Sequence, residues 1–306
     1  MSVPTSSADP TAAWRAGVFY GVAASVMWAS FMIATRTGTI AGLRPSDLLV
    51  LRFGTAALIV LPWVLARGIG DLGGVGWRRG IALSLFAGPP FFGLTVLGYT
   101  YAPLAHGAVI QPSVAALSSL IGAALVLGER APLVRFAGAG LIVLGLLFIG
   151  FGQSGVPLDG AWRGDLLFIG AGLCWAVFTL LLKHWQIGGL QAAAAIAVLS
   201  GLTIAPLCLL LFGWAPIQAL PTQVLLVQMI VHGLCASVLA ILAFGRAVAL
   251  LGAGTAALFP ALVPVFTLTI GAPISGEIPS LTEIMGAIIA TLGLLVALGW
   301  TSWRPR

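Results

Sequence analysis

The chain has 306 residues, of which 60% are hydrophobic and only 7% carry a charge. A soluble domain has about 25% charged residues, because its surface must be hydrated. The composition therefore excludes a soluble enzyme, a nucleic-acid-binding domain and a disordered scaffold. It indicates a protein embedded in a lipid bilayer. We assign the net charge of +6 to loops beside anionic lipid headgroups, with no nucleic acid as a partner.

Ten uniformly apolar spans are predicted, each close to the roughly 20 residues that a helix needs to cross a bilayer. In chain order they are residues 16–35, 47–66, 80–100, 107–127, 134–152, 164–183, 190–212, 224–245, 255–273 and 283–302. Strands of a membrane barrel would alternate in hydrophobicity over about ten residues, and these spans do not. The predicted fold class is therefore an all-α integral membrane protein with ten transmembrane helices.

Basic residues in the loops predict the orientation of the chain. The side that would carry both termini has Arg15, Arg67, Arg78, Arg79, Arg130, Arg135, Lys183, Arg246, Arg304 and Arg306. The opposite side has only Arg36, Arg44 and Arg163. Cytoplasmic loops carry the excess of lysine and arginine, so we predict a multi-pass protein of a bacterial inner (plasma) membrane with both termini in the cytoplasm.

The second half of the chain repeats the first at a nearly constant offset. Residues 28–36 match residues 175–183 in their Trp, Ala, Phe and basic positions, and Pro112 matches Pro260. Further matches are Gly17 with Gly164, Gly138 with Gly286, and Gly145 with Gly293. Each half has an odd number of spans, so the second must be inverted in the membrane. Inverted repeats are typical of transporters, since one fold can then open to either side.

The repeats predict how the chain is divided. The expected segments are an N-terminal tail (1–15), a first five-helix repeat (16–153), a linker (154–163), a second five-helix repeat (164–302) and a C-terminal tail (303–306).

These features together resemble the EamA family of the drug/metabolite transporter superfamily. The motifs are the Trp and basic residue closing helices 1 and 6, Arg52-Phe53 in helix 2, and Leu-Gly-Glu-Arg at 127–130 before a glycine-spaced helix. The resemblance covers most of the chain. It implies ten helices with both termini inside, and export of amino acids or related small metabolites. It also implies a central cavity lined mainly by helices 1, 3, 4, 6, 8 and 9, with helices 5 and 10 peripheral.

Trp28 and Trp175 are repeat-related and lie well inside their helices, whereas tryptophan usually sits at the membrane interface. Because an indole N–H inside a bundle needs a partner, we predict that both line a shared substrate cavity. Helix packing repeated by duplication is the alternative. Tyr20 lies within about 80° of Trp28 around helix 1 and is a further candidate for substrate binding.

Tyr99, Tyr101 and Gln111 are predicted to bind substrate at the outer rim of the transport path, with His106 beside them. The alternative for the tyrosines is an ordinary interfacial position. His232 in helix 8 is predicted to titrate or to donate to a substrate carboxylate. A satisfied core histidine is the alternative there.

Arg52 is expected to snorkel from helix 2 to the membrane interface rather than to recognise an anion. A mid-membrane arginine costs at least about 2.5 kcal/mol, whereas one near a helix end can extend to the headgroups. Ile196 stands where Arg52 would repeat, so any role of Arg52 would be one-sided.

Pro89, Pro112 and Pro260 fall inside predicted helices and are interpreted as hinges. Each removes a backbone donor and frees a carbonyl, which in lipid needs a partner or a water-lined cavity. A kink that only improves packing is the alternative.

The predicted function is a secondary transporter that moves small organic metabolites, such as amino acids, by alternating access. The resemblance implies export. No catalytic motif, metal cluster or cofactor motif occurs in the sequence, so the expected partners are a small-molecule substrate and the lipid bilayer. Since His232 is the only deep titratable group, downhill transport is expected. The alternatives are a structural or partner-binding membrane subunit and a membrane-embedded enzyme acting on lipid-linked substrates.

Overall fold

The computed structural model describes residues 10–102, 104–128, 132–152, 160–275 and 280–297. Within these ranges the regular structure is entirely helical. The long helices are α1 (Pro10–Ile40), α2 (Pro45–Arg67), α3 (Trp77–Tyr101), α4 (Leu104–Val126), α5 (Leu133–Gly152), α6 (Ala161–Trp185), α7 (Gly189–Phe212), α8 (Thr222–Leu251), α9 (Ala253–Ala256, Phe259–Leu262 and Val263–Ser275) and α10 (Leu281–Ala297). Short helices at Ile69–Asp71 and Ala215–Gln218 lie in the connections.

Seven helices in the described part of the chain are long and apolar enough to cross a membrane. Three shorter apolar helices, of 10–17 residues, are Ile110–Val126, Leu133–Phe148 and Ile284–Ala297. The predicted all-α class is confirmed over these residues.

Two helices contain π-helical segments that face each other inside the bundle. Residues Val50–Gly54 form one in α2, and Met229–Leu239 form the other in α8. The helices approach closely, since a Cβ added at Gly233 would lie 2.5 Å from the Cβ of Thr55. A π-helical turn holds more residues than an α-helical turn, so each segment shifts the faces that the following side chains occupy.

The three predicted hinge prolines lie in different kinds of helix: one at a restart, one in a continuous helix and one in a broken helix. α3 is interrupted at Gly88 and restarts at Pro89, where a missing N–H costs nothing because the first turn of a helix has no partner for it. α4 continues through Pro112. α9 is divided into short pieces around Pro260, and the neighbouring Phe259 carbonyl accepts a 2.8 Å hydrogen bond from the Ser25 hydroxyl of α1.

α5 and α10 pack mainly against each other through glycines. A Cβ added at Gly138 would lie 2.6 Å from the carbonyl oxygen of Gly293. One added at Gly145 would lie 2.5 Å from the carbonyl oxygen of Gly286. Because the later residue of α5 faces the earlier residue of α10, the two helices are antiparallel.

The remaining helices also pair across the two halves of the chain. α1 packs against α8 and α9, α6 packs against α3 and α4, and α2 packs against α7. An aromatic cluster lies where these pairs meet, and its fully or nearly fully buried members include Trp28, Phe31, Phe92, Trp175, Phe178 and Phe244. This cluster surrounds the candidate site.

Candidate substrate cavity

A narrow cavity lies inside the bundle, between helices of both halves. It is lined by Trp28, Phe31, Met32, Arg52, Phe91, Gln111, Pro112, Ala115, Trp175, Pro260 and Val263. Its volume of about 40 Å³ holds roughly three water molecules. A metabolite as large as an amino acid can therefore enter only if the helices move apart.

The two predicted tryptophans meet in this cavity. Trp28 and Trp175 are 8% and 6% exposed, and their rings contact edge to face with centroids 4.9 Å apart and planes at 84°. Both also contact the Phe244 ring at 5.4 Å. The buried indole nitrogen of Trp175 has no hydrogen-bond partner among the described residues, so this donor is available to a ligand.

Gln111, Pro112 and Pro260 line the same cavity. The Thr95 hydroxyl donates to the Phe91 carbonyl at 2.9 Å and lies 3.1 Å from Oε1 of Gln111. This contact fixes the amide within the cavity wall instead of at the outer rim where the sequence had placed it.

Arg52 also lies in the cavity wall, and the expectation that it snorkels is wrong. Its side chain is only 3% exposed, and its buried Nε and Nη1 atoms have no hydrogen-bond partner in the part of the chain that the structure describes. The guanidinium carbon lies 4.9 Å, 5.5 Å and 4.7 Å from the ring centroids of Phe31, Phe53 and Phe92. The π-helical segment of α2 directs this residue into the bundle. Its position near the start of the helix therefore did not predict that its side chain is buried.

His232 packs behind this wall without reaching the cavity. It is fully buried, and its ring contacts Phe31 at 5.1 Å and Phe92 at 6.0 Å. Neither ring nitrogen has a hydrogen-bond partner within the described ranges, so there His232 is not the satisfied core histidine that was the alternative. The Ser237 hydroxyl instead bonds the His232 backbone carbonyl at 2.8 Å.

The three predicted tyrosines lie away from the described cavity lining. Tyr20 is half-buried against Phe19, with ring centroids 5.8 Å apart. Tyr99 packs on Phe168 at 4.9 Å, and its buried hydroxyl has no hydrogen-bond partner among the residues described. Tyr101 is 45% exposed. The side chain of His106 lies outside what the structure describes.

Comparison with known proteins identifies the family. The model of the EamA-like transporter family matches the chain twice, over residues 15–151 and 162–299. The chain belongs to the EamA-like transporter family. The predicted resemblance is confirmed, and with its apolar helices the protein is a multi-pass membrane protein of the drug/metabolite transporter superfamily.

The fold of this EamA-like protein is shared with solved structures. One solved chain, described only as "Crystal structure of protein", superposes with a TM-score of 0.72 at 18% identity. The match covers 94% of this chain and 97% of that chain. At this identity the likeness shows the fold alone. The search of curated proteins gives no match.

Five cavity residues of the EamA-like protein were not singled out from sequence: Phe31, Met32, Phe91, Ala115 and Val263. Phe31 and Met32 follow Trp28 by one helical turn, a spacing that places side chains on one face and could have revealed them. The others are ordinary apolar residues whose types carry no such signal. Of the helices expected around the cavity, all but α8 contribute, while α2 contributes Arg52.

A second, larger cavity lies at one end of α2, α6, α7 and α8. Its volume is about 570 Å³. Three of its described lining residues are cations, namely Arg67, Lys183 and Arg246, and none of the described ones is acidic. We call it the basic pocket. Leu182 in its wall is about 10 Å along α6 from Trp175, at 1.5 Å per residue.

Metal ligands do not cluster in the EamA-like protein over the residues that the structure describes. An ion pair joins Arg44 and Asp47 at 2.8 Å. The Asp47 hydrogen bond raises the pKa of Arg44. This pair lies at the start of α2, away from the cavity lining.

Proposed function

We propose that this EamA-like protein is a secondary transporter that exports small organic metabolites across a bacterial inner membrane. The cavity between Trp28 and Trp175 is its substrate site, reached from either side by alternating access. The observation that carries the proposal is that two repeat-related pairs, Trp28 with Trp175 and Pro112 with Pro260, line one cavity. A site to which both halves contribute repeat-related residues is what alternating access between two inverted repeats requires.

The proposed topology has ten membrane spans in two inverted five-helix repeats, at 16–153 and 164–302, with a linker at 154–163. It is supported by the antiparallel contact of α5 with α10. Gly138 faces Gly293 and Gly145 faces Gly286, so each glycine contacts the sequence match of the other, as a two-fold relation between the halves requires. Both termini (1–15 and 303–306) are placed in the cytoplasm by the loop charges. Pro89, Pro112 and Pro260 are the proposed hinges.

Transport assays on purified protein test the function directly. Proteoliposomes loaded with labelled amino acids and related metabolites are expected to release at least one of them faster than protein-free liposomes do. Release that never exceeds this background, from protein shown to be folded, would favour a structural subunit or a membrane-embedded enzyme instead.

The inverted topology gives an independent prediction. Arg67 ends α2, and Gly213 directly follows the matched helix α7. Reporter fusions made after these two residues are expected to report opposite sides of the membrane. The reason is that matched points of inverted repeats lie on opposite faces. A same-side result would contradict the inverted arrangement.

Transport is expected to be downhill and independent of a proton gradient. Asp47 is fully engaged by Arg44. Among the histidines whose side chains the structure describes, His232 is the buried one, and aromatic rings separate it from the cavity. Substrate accumulation is measured in proteoliposomes with and without an imposed pH gradient. Gradient-driven accumulation that survives His232→Ala refutes the prediction, and accumulation lost in that variant identifies His232 as a coupling residue.

A further inference from the structure

Arg52 is the one charged side chain in the described lining of the cavity, and its charge is positive. We propose that the transported substrate is an organic anion whose carboxylate pairs with Arg52 and whose apolar or aromatic body packs against Trp28 and Trp175. The inference rests on the proposed function, because it takes this cavity as the substrate site. It names the substrate class that the lining recognises.

Arg52 is an ion without a counter-ion among the described residues. Moving an isolated charge out of water costs several kcal/mol even after the protein relaxes, and a guanidinium cannot escape the cost by losing its proton. The nearest carboxylate in the sequence, Asp47, accepts three hydrogen bonds from Arg44 at 2.8–3.0 Å. Asp47 is therefore not the counter-ion of Arg52.

The aromatic rings around Arg52 support the charge without using its donors. Phe31, Phe53 and Phe92 lie within 4.7–5.5 Å of the guanidinium carbon. Cation–π contacts use the faces of the rings and leave the N–H donors of the guanidinium without an acceptor. Nε and Nη1 remain without partners. A carboxylate matches the guanidinium fork and can accept two parallel hydrogen bonds from it.

The rest of the lining disfavours cationic and zwitterionic substrates. The described lining contains no carboxylate, so a cationic substrate would meet repulsion and a zwitterion would leave its ammonium group without a counter-ion. The unpartnered indole N–H of Trp175 is a second donor. The remaining surface is aromatic and aliphatic, apart from Gln111. An anion with a single carboxylate and an apolar body satisfies these groups together.

The basic pocket carries the same charge preference to the end of the bundle. Arg67, Lys183 and Arg246 line it without an acidic neighbour in the lining. Clefts lined by one sign of charge raise the local concentration of the opposite ion. On the proposed topology this pocket faces the cytoplasm, where an exported anion is collected.

Matched substrates test the inference by changing only the charge. Phenylacetate and phenylacetamide have the same ring and nearly the same shape, and isobutyrate with isobutyramide is the aliphatic pair. Equilibrium binding of each labelled probe is measured on full-length protein in nanodiscs, and transport of each is measured in proteoliposomes. The wild type is expected to prefer the carboxylate in at least one pair.

Variants of Arg52 separate its charge from its shape. Arg52→Met is expected to weaken carboxylate binding at least about thirtyfold, the loss typical of truncating one partner of a buried charge pair, and to leave amide binding nearly unchanged. Arg52→Lys keeps the charge but not the fork, so an intermediate affinity is expected. Arg163→Met removes an exposed arginine that lines neither cavity and is the matched control.

The two measurements distinguish failure of this inference from failure of the proposed function. Carboxylate binding that depends on Arg52 but is never followed by transport supports the anion site and contradicts the transporter. Transport with no preference for carboxylates, or with a preference that persists in Arg52→Met, overturns the anion site alone. Absence of binding of all four probes to folded wild type also overturns it.

Discussion

Replacing Trp175 with alanine is expected to lower kcat/KM for transport about thirtyfold, while folded protein is still recovered. Burial of apolar area against an indole, together with ring stacking, contributes ~2 kcal/mol to binding, and 1.4 kcal/mol corresponds to about a tenfold change in affinity. Trp28→Ala is expected to have a similar effect, because the two rings contact each other across the cavity at 4.9 Å. Transport is measured in proteoliposomes at matched protein density.

Two further variants show what the Trp175 result means. Trp175→Phe keeps a ring but removes the unpartnered N–H, so it reports the contribution of that donor. Trp214→Ala removes a tryptophan that is 59% exposed and is expected to transport normally. Normal transport by folded Trp28→Ala and Trp175→Ala proteins would make both residues helix-packing residues, the alternative that their repetition in the sequence left open.

Gly145→Leu is expected to destabilise the protein by about 3 kcal/mol, at the upper end of the cost of overpacking. A side chain at Gly145 would lie 2.5 Å from the Gly286 carbonyl oxygen and 2.9 Å from the Cα of Ala290. These are backbone atoms that cannot rotate away, so α5 and α10 must separate. We expect the apparent Tm in detergent to fall by about 5–10 °C and the yield of monodisperse protein to fall with it.

Gly140→Leu is the matched control on the same helix. A Cβ at Gly140 would have no neighbour within 4 Å, so the added side chain extends into lipid and the Tm is expected to stay unchanged. Gly286→Leu, on the other side of the contact, is expected to reproduce the loss seen for Gly145→Leu. If both variants at the contact are as stable as the control, α5 and α10 do not meet through these glycines.

The repeats allowed part of the candidate site to be predicted. Trp28 with Trp175 and Pro112 with Pro260 were singled out because they recur at matched positions, and all four line one cavity. Repetition is informative because a pseudo-two-fold axis brings equivalent residues together. Tyr20 shares a similar helical face with Trp28 but lies about 12 Å away along α1, beyond the stretch from Trp28 to Met32 that reaches the cavity.

Arg52 shows why the charge of the site could not be predicted. Counting residues from the start of α2 gives a depth in the membrane, and at that depth snorkelling is the usual outcome. The direction of the side chain depends on the π-helical turn that contains it. It depends equally on aromatic rings from α1 and α3 that surround it.

The sequence alone determined that this protein lies in a lipid membrane, that it is helical and which family it belongs to. A chain that is 60% hydrophobic and 7% charged can hydrate its surface only at its ends and loops, and helices satisfy their own backbone groups within lipid. The tertiary structure decided which residues share a cavity and that its only charged side chain in the described lining is Arg52. The physical reason is that helix rotation, π-helical turns and glycine contacts set which face of each helix is buried. Because these helices carry apolar residues on every face, the sequence pattern does not distinguish the buried face from the one that faces lipid.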